Sequence, residues 1–267
     1  MTTERRQHIQ RPAIGDDTTE HSAHGQHGQG PEHEYDPLYT TIIHTVRRDE
    51  PLVIRQARVL GRLHAPQIDG GTLICENARI VCDGNLHVSK ISGYGTIVVQ
   101  GEAACCELNF VGDIRCAGQV TCCGEAKMAG MLQAGGGLLA SALAMTGVMN
   151  APHLVANNSV LIDTLGDGLW AHRTLRCRDP HSTIRRIEAH QVEARRLHCD
   201  QISAECIMLE DTSDVRTVPL EAHLSVDEGS RIRFFERRDG QLLPAGRAMS
   251  SVTTPVHCAA RTCPVRR

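Results

Sequence analysis

From Gly95 to Gly136 the chain reads GTIVVQ, GEAACC, ELNFV, GDIRCA, GQVTCC, GEAKMA and GMLQAG, closing on a further Gly. Six of the seven units are six residues long, open on Gly, and carry an apolar residue at the third and usually the fifth place; the exception is the five-residue Glu107–Val111. Two sixes and a five make seventeen, and matching residues recur at that interval: Gly84, Gly101 and Gly118; Ile80, Ile97 and Ile114; Val88, Cys105 and Cys122; Ile91 and Leu108. Self-similarity at a fixed short period is the mark of a solenoid. The period is too short for a pair of helices, and the alternation inside each unit is that of a strand.

Successive side chains of a strand point to opposite faces. The third and fifth places of the units therefore line an interior. Glu102, Asp113, Arg115, Gln119, Thr121, Glu125 and Lys127 take the alternate places and meet water. The expectation is an all-β fold, a single-stranded parallel β-helix (β-solenoid) of about seventeen residues per turn, each turn three short strands wound into a triangle. With rungs about 4.8 Å apart, about nine turns between Thr72 and Arg233 give a rod of about 45 Å. The step from Gly112 to Gly130 is eighteen and that from Gly130 to Gly147 is seventeen again, so one corner carries an extra residue. A bulge absorbs such a residue.

A finer period follows downstream. Ile187, Val192, Leu197, Ile202 and Ile207 are spaced by five, with Ala189, Ala194, Cys199, Ala204 and Leu209 two residues behind them. Ala, Glu, Arg and Leu favour helices, but a period of five drifts quickly off one helical face, so this stretch reads as more of the coil.

Composition agrees with a thin core. The chain of 267 residues holds only three Phe, three Tyr and one Trp, and a narrow triangular interior offers rings little room. The net charge of −3 and pI near 6.6 argue against a nucleic-acid partner, which calls for a basic surface and stacking aromatics. Cys82, Cys105, Cys116 and Cys122 stand in inward register, where a free Cys acts as a small hydrophobe. Residues 1–37 lack the apolar core of a secretory signal. Leu138–Met149 is too short to span a bilayer. A cytoplasmic location is expected.

The organisation read from these patterns is a disordered His-rich tail over 1–37, N-terminal strands or a cap over 38–72, the β-helix over 73–236 and a flexible basic tail over 237–267. His21, His24, His27 and His33 crowd the first tail, and Arg247, Arg261, Arg266 and Arg267 the last; both tails read as solvated. Leu38–Val46 reads as a strand capping the coil, since an exposed solenoid end needs covering, with a short strip that touches membrane or a partner as the alternative.

No catalytic motif emerges: no phosphate-binding Gly-rich loop, no Gly-x-Ser-x-Gly elbow and no His-Glu-x-x-His. Cys106 and Cys123 are expected to face outward, one above the other, but a structural zinc site wants four ligands, and His257, Cys258 and Cys263 do not complete one. Hexad coils with Gly also occur in acyltransferases, which need a His base; His87, His153 and His172 show no partner carboxylate at a recognisable spacing. A monomeric binding solenoid built on five-residue units is a further alternative, opposed by the order Ile187 before Ala189. No enzyme activity, cofactor or metal is expected.

GDIRCAGQVTCCGEAKMAG and the earlier DGNLHVSKISGYGTIVVQGEA resemble the Gly-spaced repeats of the bactofilins, a bacterial family of polymer-forming cytoskeletal proteins. ISAECIMLEDTSDVRTV and VDEGSRIRFFE look like the closing turns of a larger bactofilin-like subgroup, so the likeness runs over Leu73–Glu236. The resemblance implies a right-handed parallel β-helix that assembles end to end into filaments without nucleotide. Its implied role is to scaffold cell-shape or cell-envelope proteins at the inner face of the membrane, with the chain itself as first partner. Ile232, Phe234 and Phe235, at the last expected turn, are the candidate self-assembly residues, as a cap or as an end-to-end contact.

Overall fold

A computed structural model describes residues 39–164 and 181–245. The expected tail over 1–37 and the part of the expected 237–267 tail beyond 245, with their His and Arg clusters, and His172, Cys177, Cys258 and Cys263 lie outside the described residues. The first stretch holds β1 (Tyr39–Ile42), β2 (Thr45–Arg47), β3 (Leu52–Val59), β4 (Arg62–Ala65), β5 (Ile68–Cys82), β6 (Leu86–Val99), β7 (Ala103–Cys105), β8 (Glu107–Cys116), β9 (Val120–Ala134), β10 (Leu138–Ala156) and β11 (Ser159–Asp163). The second holds β12 (Ser182–Glu188), β13 (Gln191–Arg195), β14 (Leu197–Ser203), β15 (Cys206–Glu210), β16 (Asp214–Pro219), β17 (His223–Val226), β18 (Arg231–Glu236) and β19 (Leu242–Pro244).

Strands pair in parallel with the strand one turn on, and the fold is a β-solenoid of about 11 turns. The columns foreseen in the sequence are real. Ile80 faces Ile97 and Ile97 faces Ile114; Ile91 faces Leu108; Cys105 faces Cys122. Along one corner Gly101 donates its N–H to the carbonyl of Gly84 at 3.0 Å, Gly118 to Gly101 at 2.8 Å and Gly136 to Gly118 at 2.8 Å. Ile97, Ala103, Ile114, Val120, Ala126 and Leu132, the third residues of the hexads, are all buried. Burying a side chain of the Val, Leu or Ile class is worth ~2 kcal/mol, so each turn gains from its three inward faces what its own short strands cannot supply.

Turn length follows unit length. In the stretch of five-residue units, Ile187 faces Ile202 and Val192 faces Ile207, fifteen residues on. Three units of five thus make one complete turn, and the helical alternative is excluded there. The extra residue between Gly112 and Gly130 is absorbed within the same ladder, with Leu108 facing Ala126 eighteen residues on. Beyond Thr164 the coil resumes at Ser182 in register, Asn150 facing Thr183. The Ser182 hydroxyl accepts the Met149 N–H at 3.0 Å and is itself buried, tying the first strand after the break to the rung beneath.

Three expectations need correction. The coil opens at Tyr39, because β1 and β2 already pair in parallel with β3 and β4; the expected boundary at residue 73 falls inside β5. The two rungs before Thr72 add to the nine turns expected between Thr72 and Arg233 to give about 11 in all. The segment expected to begin a flexible tail at 237 instead turns back and pairs through β19 with β18. The core also admits rings: Phe110 and Phe235 are each 1% exposed. Phe110 fits because Gly93, directly beneath it, carries no side chain, while Met128 lies above.

One buried polar atom is unsatisfied among the described residues, Oδ1 of Asp113. Burial pushes the Asp113 carboxyl above its ordinary value of 3.8, with Arg115 offsetting part of the shift. A carboxyl whose folded pKa is raised costs stability once the pH rises past that raised value, and costs nothing below the ordinary one. Asp113→Asn is therefore expected to raise the melting temperature at pH 7, with the gain gone below about pH 4. Thermal melts at the two pH values check this; equal melting of the two proteins at pH 7 contradicts it.

Candidate functional site

The ends of the coil are where the fold leaves unpaired backbone. At the N-terminal end, no strand among the described residues pairs with the outer edge of β2 or of Leu52–Ile54 at the start of β3. The first rung also carries outward apolar side chains: Tyr39 is 55% exposed, Ile43 62% and Val53 56%. Leu60, whose N–H donates to the Ile42 carbonyl at 2.7 Å, is exposed on the next rung. Sequence reading did not single out these exposed residues, because the strands mix Arg and Thr with the apolar residues and lack the Gly punctuation. The alternation in LYTTIIHTV was the available signal.

The C-terminal end is built differently. β17 pairs with β15 alone among the described strands. β18 pairs with β16 in parallel and, over Phe234–Glu236, with β19 in antiparallel sense. The chain reverses through a tight turn in which Gly240 donates to the carbonyl of Arg237 at 2.9 Å and Arg237 to that of Gln241 at 3.0 Å. Ile232, Phe234 and Phe235 thus lie on the last parallel strand, as expected, with distinct roles. Phe235 points into the core, Ile232 packs against it half-buried, and Phe234 is half-buried opposite Pro244. Proline has no N–H to offer a further strand. The face uncovered by β19 keeps a groove of 440 Å³ lined by Val226, Ser230, Ile232 and Ala245. Asp227 closes the turn beneath it, accepting the N–H of Asp211 and of Ser230, each at 2.8 Å.

One side of the last turns carries a second groove, of 290 Å³. Thr183, His198, Asp214 and Arg231 occupy one outward column, rung upon rung, with Arg185, Asp200, Arg216 and Arg233 beside them. Arg233 grips Asp214 at 2.6 and 3.1 Å. That bond holds the Asp214 carboxyl below its ordinary value. The contribution of the pair is complete above the ordinary aspartate value and fades as the pH falls through the lowered one; at an exposed position it is small. The rings of His181 and His198 stack at 4.4 Å. With Asp200 and Asp214 set among Arg185, Arg216, Arg231 and Arg233, this groove is a charged wall in which cations outnumber carboxylates.

His87, one of the candidate bases, does have a carboxylate: Asp69, on the neighbouring rung, lies 3.5 Å away. His64 pairs with Asp83 at 2.8 Å and His190 with Glu205 at 3.4 Å. The partners sit fifteen to nineteen residues apart in sequence, a spacing visible only once the turn length is known. The pairs His64–Asp83 and Asp69–His87 bridge the same two turns, His190–Glu205 lies farther along the coil, and His153 joins none of them. Cys82, Cys105, Cys116 and Cys122 are buried, while Cys106 and Cys123 are exposed. Among the described residues no group of three or more His, Cys, Asp or Glu is placed to hold a metal, and no helix is long and apolar enough to cross a membrane. Compared with known proteins, the chain matches no protein-family model, no curated protein and no solved structure.

Proposed function

We propose that this protein is a non-enzymatic scaffold whose copies add end to end into filaments without nucleotide, and that the filaments organise cell-shape or cell-envelope proteins at the inner face of the cytoplasmic membrane. The observation that carries the reading is the N-terminal rung. An open β-edge is a template for another strand, and soluble proteins blunt such edges with charge, proline or a covering segment. Here the edges of β2 and Leu52–Ile54 stand beside Tyr39, Ile43 and Val53, all exposed. At the other end, β17 and the part of β18 that β19 leaves uncovered have no further strand among the described residues, so a second copy has strand positions to meet there. The likeness of the Gly-spaced repeats to bactofilins points the same way.

Sedimentation velocity of the full chain tests this, with Tyr39→Lys, Ile43→Lys and Val53→Lys combined as the comparison. Lysine at an edge repels a second strand while leaving the buried face intact. The native chain is expected to sediment as species that grow with concentration, and the triple variant as one small species with an unchanged circular dichroism spectrum. A native chain that stays small at every concentration, or a variant that grows equally well, overturns the proposal.

A further inference from the structure

Most of the described cysteines are shut away. Of the described ones, Cys75, Cys82, Cys105, Cys116, Cys122 and Cys199 are buried and Cys206 is half-buried; Cys106 and Cys123 alone are exposed. Most of the buried thiols are pushed toward the protonated form; Cys122 alone is drawn down, to about 7, by the hydrogen bond it shares with Cys105, and it is 1% exposed. Burial pushes Cys75 and Cys199 up to about 12. Cys105 is pushed well above the thiol range by the hydrogen bond it shares with Cys122 and by burial. The sulfur nucleophile is the thiolate, and it must be reachable, so among the described cysteines Cys106 and Cys123 are the most accessible to oxidation.

Those two positions are neighbours. Cys105 faces Cys122 across one rung spacing, and each is followed by the outward cysteine. The Gly124 N–H donates to the Cys106 carbonyl at 2.9 Å, which fixes the Cys123–Gly124 peptide against Cys106. Facing residues of adjacent strands stand about 4.8 Å apart, inside the ~4.4–6.8 Å between α-carbons that a disulfide accepts. The β-carbons must approach more closely than that, to ~3.5–4.5 Å, and the local chain permits it. Cys106 is the single residue between β7 and β8, a bend outside the ladder.

We propose that Cys106 and Cys123 form a redox-active dithiol that a small-molecule disulfide of the oxidised-glutathione class closes into a staple between two turns of the coil. One thiolate attacks the oxidant, forming a mixed disulfide and releasing one thiol. The second thiolate then displaces the other thiol and forms the Cys106–Cys123 bond. The dithiol gives up two electrons and two protons, and the oxidant leaves as two thiols. A bond that pinches two rungs together at an exposed corner belongs to the easily reduced class, so an excess of reduced glutathione reopens it.

The test uses the full chain with Cys177→Ser, Cys258→Ser and Cys263→Ser, treated with oxidised glutathione and read by intact mass and by tryptic mapping without reductant. The expected product has lost two hydrogens, carries no glutathione, links peptide 91–115 to peptide 116–127, and melts higher than the reduced chain. Adding Cys106→Ser or Cys123→Ser is expected to abolish the link and leave one glutathione adduct on the remaining cysteine. Two separate adducts on Cys106 and Cys123, a link that joins two chains, or a link that survives Cys106→Ser overturns the proposal.

Discussion

Gly112→Val is expected to destabilise the coil by ~4 kcal/mol or more, enough to leave little folded protein at growth temperature. Gly95, Gly112, Gly130 and Gly147 stack on four successive rungs. All four hold positive φ, between 127° and 143°, a region essentially closed to residues with a β-carbon. Conformation is only half of the cost. A β-carbon on Gly112 would stand 2.1 Å from the carbonyl oxygen of Gly95, and that oxygen is fixed within the ladder. Relief would require a rung to slip, which breaks its hydrogen bonds on three faces at once. Gly240→Ala is the control. It also has positive φ, but nothing lies within 4 Å, so the cost there is ~1 kcal/mol. Thermal melts by circular dichroism check both; a Gly112→Val protein melting with the native one contradicts the stacked-corner account.

Phe110→Ala carries the second large effect, a loss of ~3–5 kcal/mol. The ring is 1% exposed and fills the space above Gly93 and below Met128. No neighbour can collapse into the void, since Gly93 has no side chain to move. In a coil each turn touches only the turns beside it, so the damage stays local at first. Hydrogen exchange is expected to quicken in β6, β8 and β9 before the terminal strands, with the denaturant midpoint shifted down. Uniform quickening along the whole coil would show that the turns do not behave as stacked units.

The periodic part of this fold was legible because its unit lengths are written in the glycines. Ile80, Ile97 and Ile114 could be stacked on paper, and so could Ile187 over Ile202, because a repeat of six, six and five or of five, five and five sets the turn length directly. Where the glycines stop, so does legibility. Tyr39–Ala65 forms two members of two ladders and one of the third, yet its corners use His44, Arg48 and Leu60, and its alternation is broken by Arg and Thr. A hidden register also conceals cross-turn chemistry. Asp69 and His87 are eighteen residues apart and touch, whereas the seventeen-residue rule would pair neither. Phe110 was misjudged because room for a ring depends on which residue lies one turn below, a fact about two rungs rather than one. The candidate site shows the same division. Phe235 belonged at the last turn, but the hairpin that returns β19 over its edge depends on the Arg237–Gln241 turn, which no repeat announces.

Electron micrographs of the full chain, purified without nucleotide and imaged across a range of concentrations, test the central functional claim most directly. The account predicts unbranched filaments that lengthen with concentration and whose subunit repeat matches one coil of about 11 turns, on the order of 50 Å. Dispersed single rods at every concentration would contradict it.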